Sequence, residues 1–402
     1  MNATHETPMI PVEEALARVF ALVSPLKTET VPLADADGRI LRAPVAATRG
    51  QPPCAVSAMD GYAVNGPGPR VRVVGVAAAG TAFAGTLASG EAARIFTGAP
   101  VPSGADRVVI QEDVKIDGEY IAITEDCAPG THIRSGGGDF AKGDTLAAPR
   151  RLRSVDLTLL AAMNVAEVSV SRRPEVALIA TGDELVMPGD TPRADQIVAS
   201  SVFALAAMVR AEGGVARILP IARDSRESLR SVLELACDAD MVVTTGGASV
   251  GDHDLVRPVL AELDAAPDFY KIAMRPGKPL MAGRLGRAVM LGLPGNPVSS
   301  IVCGHLFMIP ALRAMLGLGA WPRASATARL ACDLGANGPR DHYMRARLLP
   351  GDDGAPLIEP FARQDSSLVS VLAEADALLI RPARATPAAR GTSVRYIPLE
   401  RF

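Results

Sequence analysis

Apolar residues recur at i, i+3, i+4 and i+7 in two stretches: Val12, Ala15, Leu16 and Val19, then Val202, Leu205, Ala206 and Val209. That spacing draws one stripe along an α-helix. Pro11 suits the first turn of the earlier helix, predicted over residues 11–23. Gly213-Gly214 ends the later one. Val155, Thr158, Leu159 and Ala162 share a face in the same way, predicting a helix over 154–166. A return to helix there implies that the chain closes a domain opened by residues 11–23. Between them, short apolar runs at 71–74, 93–96, 107–110 and 120–123 are separated by Gly, Pro and Asp, which predicts a small β lobe.

From residue 174 the pattern changes. Near-continuous apolar runs at 176–180, 215–219, 241–244, 269–273 and 288–291 read as buried strands. They largely alternate with helical patterns around 202–209, 225–237 and 254–263 and from Pro297 onward. Such alternation means a mostly parallel sheet covered on both faces. Residues 301–321 are the most apolar stretch, but His305, Pro310 and Arg313 interrupt it, so it reads as a buried helix rather than a membrane span. A linker is expected at 319–326. Beyond it, runs at 327–330, 344–348, 357–360, 377–380 and 393–397 predict a β-barrel or sandwich. The fold class is α/β plus β. The expected domains are 1–50 with 143–173, an inserted β lobe at 51–142, an α/β domain at 174–326 and a C-terminal β-barrel at 327–402.

Composition narrows the function. The chain has 402 residues, 48% hydrophobic and 21% charged, enough for several cores at roughly 150 residues each. A net charge of −3 offers no basic footprint for nucleic acid. Cys54, Cys127, Cys237, Cys303 and Cys332 are scattered and never form CxxC, which predicts free thiols in a reducing compartment. Residues 1–9 lack an apolar signal core, so a cytoplasmic protein is expected. The histidines show no HExxH-like metal spacing.

Candidate chemistry gathers where strands end. Met241-Val242-Val243 runs into Thr244-Thr245-Gly246-Gly247-Ala248-Ser249-Val250-Gly251-Asp252-His253-Asp254 and then a helical pattern. Small residues between a strand and a helix leave backbone N–H groups open to phosphate, and the helix dipole favours the same charge. The neighbouring acids suit a divalent cation. The alternative is a tight turn with a capping Asp. Asp60-Gly61 reads either as a ligand presenter or as a turn. The loop Arg134-Ser135-Gly136-Gly137-Gly138-Asp139 reads as an anion site or a hairpin end. Asp224 or Ser225 can cap the next helix with Glu227, or Asp224 can serve chemistry. Arg275-Pro276-Gly277-Lys278-Pro279, preceded by Lys271, forms a stiffened cationic loop suited to an oxyanion. Ligands in open α/β sheets sit at the carboxyl ends of strands. The turns 181–184, 223–224, 245–254, 274–278 and 292–297 are therefore expected mostly on one edge.

Six strings in order, SAMDGYAV (57–64), TGAPVP (97–102), TGDEL (181–185), TGGASVG (245–251), RPGKP (275–279) and GLPGNPV (292–298), resemble the molybdopterin molybdenumtransferases. The C-terminal domain of gephyrin is similar. The resemblance spans nearly the whole chain. It implies a homodimer of elongated, four-domain subunits that takes adenylylated molybdopterin and molybdate, uses Mg²⁺, and releases AMP with the molybdenum cofactor. It also implies transient contact with the adenylyltransferase and with acceptor molybdoenzymes, and no membrane.

By position, the resemblance makes Asp60, Asp139, Glu184, Asp224 and Asp254 the functional acids, with Glu184, Asp224 and Asp254 holding metal. Lys271, Arg275 and Lys278 become the catalytic cations. Thr97, Arg134, Thr181, Gly182, Gly246, Gly247, Ser249, Gly251, Pro294, Gly295, Asn296, Pro297 and Ser366 become binding residues. The sequence departs from the family at Val56 (usually Asn), at Ala199-Ser200-Ser201 (usually Asp-Ser/Thr-Asn), at Arg275 (usually Lys) and in the less basic 134–138 loop. Rival readings are a non-catalytic pterin-binding scaffold, a diverged paralogue, the molybdopterin adenylyltransferase and a nucleotide pyrophosphatase.

Overall fold

The computed structural model describes residues 9–125, 131–247, 255–263 and 267–399. The chain divides into two compact units, Glu29–Val170 and the pair of segments Met1–Thr28 and Ser171–Phe402.

In the first unit, strands Thr28–Pro32, Glu167–Ser171, Ile40–Leu41 and Arg150–Arg151 lie side by side in that order. Helix Ser154–Ala162 belongs to the same unit, and Leu160 joins Leu41, Leu152 and Val170 in one core. The β lobe is a six-stranded sheet in the order Arg107–Ile110, Gly61–Val64, Glu91–Ile95, Arg70–Ala77, Tyr120–Ile123 and Val114–Asp117. Its pairings are antiparallel except Arg70–Ala77 with Glu91–Ile95. Asp60-Gly61 is therefore not a turn: Gly61 opens a buried strand. A Cβ there would lie 2.0 Å from the Val109 carbonyl oxygen, so only glycine admits this close pairing.

The second unit centres on a six-stranded sheet in the order Val215–Ile218, Glu175–Ala180, Met241–Thr245, Ala288–Leu293, Met281–Leu285 and Pro267–Phe269. The first three pairings are parallel and the last two antiparallel. Alternation along Glu175–Ala180 explains why both faces are covered. Val176, Leu178 and Ala180 pack with the helix Ser201–Ala211 and the long helix Pro297–Met315. Ala177 and Ile179 pack with helices Arg226–Glu234 and Val256–Glu262. The long helix has mean hydropathy 1.5, yet 83% of its most apolar window is buried, so its apolar surface serves the core.

Three expectations change. Helix Val12–Leu22 buries Val12, Ala15 and Val19 in the α/β core instead of joining helix Ser154–Ala162. Its stripe announced a buried face but not which surface would cover it. The strand expected at 269–273 is shorter and earlier, Pro267–Phe269, after which Ile272 makes an isolated bridge to Ile10. The strand Met281–Leu285 carries Gly283 and Arg284, which hid it from pattern reading, and its antiparallel pairing makes the sheet mixed.

At the C-terminal end, Asp341–Pro350 pairs with both Pro356–Pro360 and Ala377–Arg381. The ring closes through Ser393–Pro398 and Ala326–Leu330. This is a five-stranded barrel around Leu330, Ala346, Ile358 and Leu379, not a sandwich. The two-residue strand Met274–Arg275 pairs with the start of Asp341–Pro350.

Candidate active site

A cleft of about 800 Å³ opens at the carboxyl ends of the parallel strands. Four of the expected turns reach it. Thr181, Gly182 and Glu184 come from one, Asp224 from the next, Gly246 and Gly247 from the third, and Pro294, Gly295, Asn296 and Pro297 from the last. The backbone stitches these turns together: Thr181 N–H donates to the Thr245 carbonyl at 3.0 Å, Gly182 N–H to Ala222 at 3.0 Å and Gly246 N–H to Leu293 at 3.1 Å.

Both glycines of the Gly246-Gly247 turn are required. Their φ values are +96° and +63°. A Cβ at Gly246 would come within 2.7 Å of the Thr181 carbonyl oxygen, and one at Gly247 within 2.4 Å of Val256 Cγ2. The chain thus exposes bare backbone to the cleft where a side chain would fill it. Asn296 Oδ1 is buried without a partner, an acceptor available to a ligand donor. Ser249, Gly251 and Asp254 lie outside the described residues.

The carboxylates are held by a network that sequence reading passed over. Asp224 N–H donates to Asp183 Oδ1 at 3.0 Å, and Asp183 N–H donates to Asp224 Oδ2 at 3.3 Å. Arg223 Nη1 donates to the carbonyls of Gly182, Asp183 and Leu185 at 3.4, 3.2 and 2.9 Å. One guanidinium therefore ties the loop carrying Glu184 to the loop carrying Asp224. Helix capping falls to Ser225, whose Oγ accepts from Ser228 N–H at 3.1 Å, while Ser228 Oγ accepts from Arg223 N–H. Glu227 makes no such box, and Asp224 is left for other work. All three contacts come from the one nitrogen Nη1; lysine keeps the charge but lacks the planar, rigid guanidinium that fixes that nitrogen's position. Arg223→Lys should lower kcat about tenfold, with Tm nearly unchanged. Unaltered kcat in both Arg223→Lys and Arg223→Met would reduce Arg223 to a scaffold role.

The expected cations are placed differently. Lys271, Arg275 and Lys278 do not line the cleft, although Pro279 of the same loop does. Lys271 is buried, with its carbonyl accepting from Ile10 N–H, while Arg275 and Lys278 are exposed. Arg275 lies on the strand paired to Asp341 and His342 and joins a second cationic group. Burial first, then the charges of Arg275, Arg345 and Arg340, push His342 down to about 4. Arg345 is 1% exposed and its own pKa is lowered by burial. Its Nη1 donates to the Asp365 carbonyl at 2.7 Å, and its Nε and Nη2 donate to Gln364 Oε1. Asp365 Oδ1 accepts from the backbone and hydroxyl of Ser367. Ser366 belongs to this turn, but Ser367 is the serine that lines the cleft.

His342 gives a pH signature. Its folded pKa lies below the unfolded value near 6.5, so the unfolded chain binds more protons between those limits. Its contribution to stability is present above about pH 6.5 and is lost as pH falls towards 4. Thermal melts should show this loss, and His342→Gln should reduce it over that interval, leaving the share of the similarly depressed His305. An identical pH slope in the variant would rule His342 out as the source.

In the β lobe, two of the strings and the 134–139 loop converge separately. Arg134 pairs with Val56 in register, Ser57 N–H donates to the Ala99 carbonyl, and Asp139 N–H donates to Gln51. Asp60 Oδ1 accepts from Thr97 N–H at 2.7 Å and Thr97 Oγ1 at 2.8 Å. The Thr97 amide first, then its hydroxyl, hold the Asp60 carboxyl below the usual carboxylate range. Asp60, Thr97, Arg134 and Asp139 are all exposed on these loops.

Comparison with known proteins places the geometry. The MoeA N-terminal region (domains I and II) matches residues 10–164, the probable molybdopterin binding domain residues 177–314, and the MoeA C-terminal region (domain IV) residues 327–399. The molybdopterin molybdenumtransferase of Nostoc sp. is 35% identical, covering 98% of this chain and 94% of that protein. The chain belongs to the molybdopterin molybdenumtransferase family. Another relative, molybdopterin molybdenumtransferase 2 of Mycobacterium tuberculosis, is 34% identical over 96% of this chain and 99% of its own. The crystal structure of the molybdopterin biosynthesis MoeA protein from Pyrococcus horikoshii superposes with a TM-score of 0.84 at 31% identity, covering 98% of this chain and all of that one. Within the family frame, Ala199, Ser200 and Ser201, one of the departures from the usual string, all line the cleft. Val56, another, is buried.

Proposed function

We propose that this chain inserts molybdenum into molybdopterin, taking adenylylated molybdopterin and molybdate and releasing AMP. The observation that carries the reading is the convergence of Glu184 and Asp224, from different strand ends, on one cleft with the bare Gly246-Gly247 turn. In this reading the phosphates lie against that turn, and Asn296 Oδ1 accepts from a donor of the pterin. Arg275, Lys278 and Arg345 attract molybdate towards the serine turn at 364–367. Asp224, fixed by Asp183, orients the attacking water.

Mg²⁺ commonly binds through one or two carboxylates plus substrate phosphates, and the Glu184 and Asp224 donor set fits that mode. Asp254, the third acid assigned to the metal by resemblance, lies outside the described residues, and substrate phosphates would complete the sphere. When bound, the ion supplies charge neutralisation on the phosphate oxygens. The active form is a cytoplasmic homodimer in which the Asp60 and Asp139 loops of one copy serve the cleft of the other. Contact with the adenylyltransferase and with acceptor molybdoenzymes is transient.

The test is reconstitution from purified protein, adenylylated molybdopterin, Mg²⁺ and molybdate. AMP and active cofactor should appear together without ATP. Formation of adenylylated pterin from ATP would instead favour the adenylyltransferase. Release of AMP from ADP-ribose without pterin would favour the pyrophosphatase.

A further inference from the structure

We infer that a second cavity in the α/β unit, centred on His305, binds a small uncharged molecule that is mostly apolar and carries one O–H or N–H donor. The cavity measures about 380 Å³ and shares no lining residue with the substrate cleft. Ile301, Ile309, Leu372 and Ala373 are among its apolar walls. Small-molecule sites have this character: concave, apolar and oriented by a few polar groups.

Two polar features define what enters. His305 lines the cavity, and its Nδ1 is buried with no hydrogen-bond partner. Burial first, and then the positive charge of Arg323, push the imidazole down to about 4, so the ring is neutral and keeps one acceptor nitrogen. The other feature is Glu212, whose carboxylate accepts from Arg313 at 3.0 and 2.6 Å and lies 4.0 Å from Arg323. Glu212 is thereby paired with two guanidiniums and calls for no cation from a ligand. A ligand needs no charge of its own, only a donor for His305 and apolar bulk for the walls.

The backbone at His305 is also unusual. Gly304–Met308 is a single π-helical turn inside the long helix Pro297–Met315. Pro310 has no N–H to give the Leu306 carbonyl, so the α-helical ladder cannot run through this point. Such insertions are frequent at functional sites. The cavity is walled by the same segments that reach the cleft. Ser201 and Val202 of helix Ser201–Ala211 face the cleft, while Ala207 and Ala211 face this cavity. Pro297 and Ile301 divide in the same way along the long helix.

The proposal does not depend on the transferase reading, because its test needs neither pterin nor turnover. Calorimetric titrations at pH 7.5 would compare three probes of about ten non-hydrogen atoms: 4-propylphenol, its methyl ether, and 4-propylbenzoate. The phenol should bind saturably and at least fivefold tighter than the ether. His305→Phe should abolish that preference while leaving ether binding in place. Ala373→Trp, which narrows the cavity, should weaken both, with the melting temperature of each variant serving as the folding control. Equal affinity for phenol and ether, tightest binding of the benzoate, or no saturable binding of the phenol would each overturn the inference.

Discussion

Asp224→Asn should lower single-turnover AMP release about a thousandfold, ~4 kcal/mol of barrier, while affinity for adenylylated molybdopterin changes by less than about threefold. The side chain keeps its size, and its backbone N–H still reaches Asp183 Oδ1. What disappears is the negative charge that, in the proposed function, orients water and would meet the divalent ion. Glu184→Gln, on the neighbouring loop of the same cleft, should act in the same direction. The two losses should be less than additive, because both residues serve one ion and one water. Rapid-quench measurement of AMP with a separate pterin-binding titration separates the chemical step from affinity. Weakened pterin binding with an intact chemical step would assign these carboxylates to recognition instead.

Arg275→Gln should raise the molybdate concentration for half-maximal cofactor formation at least tenfold and leave pterin affinity unchanged. Arg275 is exposed, so the substitution tests charge without disturbing a core. Arg345 also contributes to this positive field but is a poorer probe. It is almost fully buried, and its guanidinium satisfies Gln364 and the Asp365 carbonyl. Removing it would take two donors from Gln364 Oε1 and one from the Asp365 carbonyl and loosen the barrel. Arg275→Lys restores charge without the planar fork, so partial recovery is expected. The readout is cofactor formation against molybdate at fixed pterin, at two ionic strengths. An unchanged molybdate requirement in Arg275→Gln would move the oxyanion site away from the barrel.

The sequence disclosed the architecture where periodicity was strong. Alternating apolar strands and striped helices from residue 174 marked the sheet, and strand-end turns marked the edge on which the cleft opens. Gly246-Gly247 stood out because paired glycines at a strand end suit close backbone approach, whereas Asp60-Gly61 also read as a turn and Asn296 entered only through the family resemblance. What escaped depends on long-range pairing. Met281–Leu285 carries a glycine and an arginine that break its pattern, yet neighbouring strands bury it on both sides. The surface that covers helix Val12–Leu22 was equally unreadable, since a stripe names a face and not its partner.

The same limit governs the site. Arg223 acts through three carbonyls, and nothing in a one-dimensional string shows which carbonyls a guanidinium will meet. Asp183 looked like an incidental acid beside Glu184, but it pins Asp224. Arg345 is buried within a barrel strand, on the face opposite the barrel-core residue Ala346. A charge there was the one signal that might have drawn attention, since an arginine is rarely buried without partners. Lys271, Arg275 and Lys278 were grouped by proximity in sequence, whereas folding buries the first and leaves the other two exposed.

The most direct test is a crystal structure of the Asp224→Asn variant with intact adenylylated molybdopterin. The account predicts phosphates against Gly246 and Gly247, with Glu184 and residue 224 facing the bond that joins AMP to the pterin. Density for that molecule on another surface, with the sheet-edge cleft empty, would contradict it.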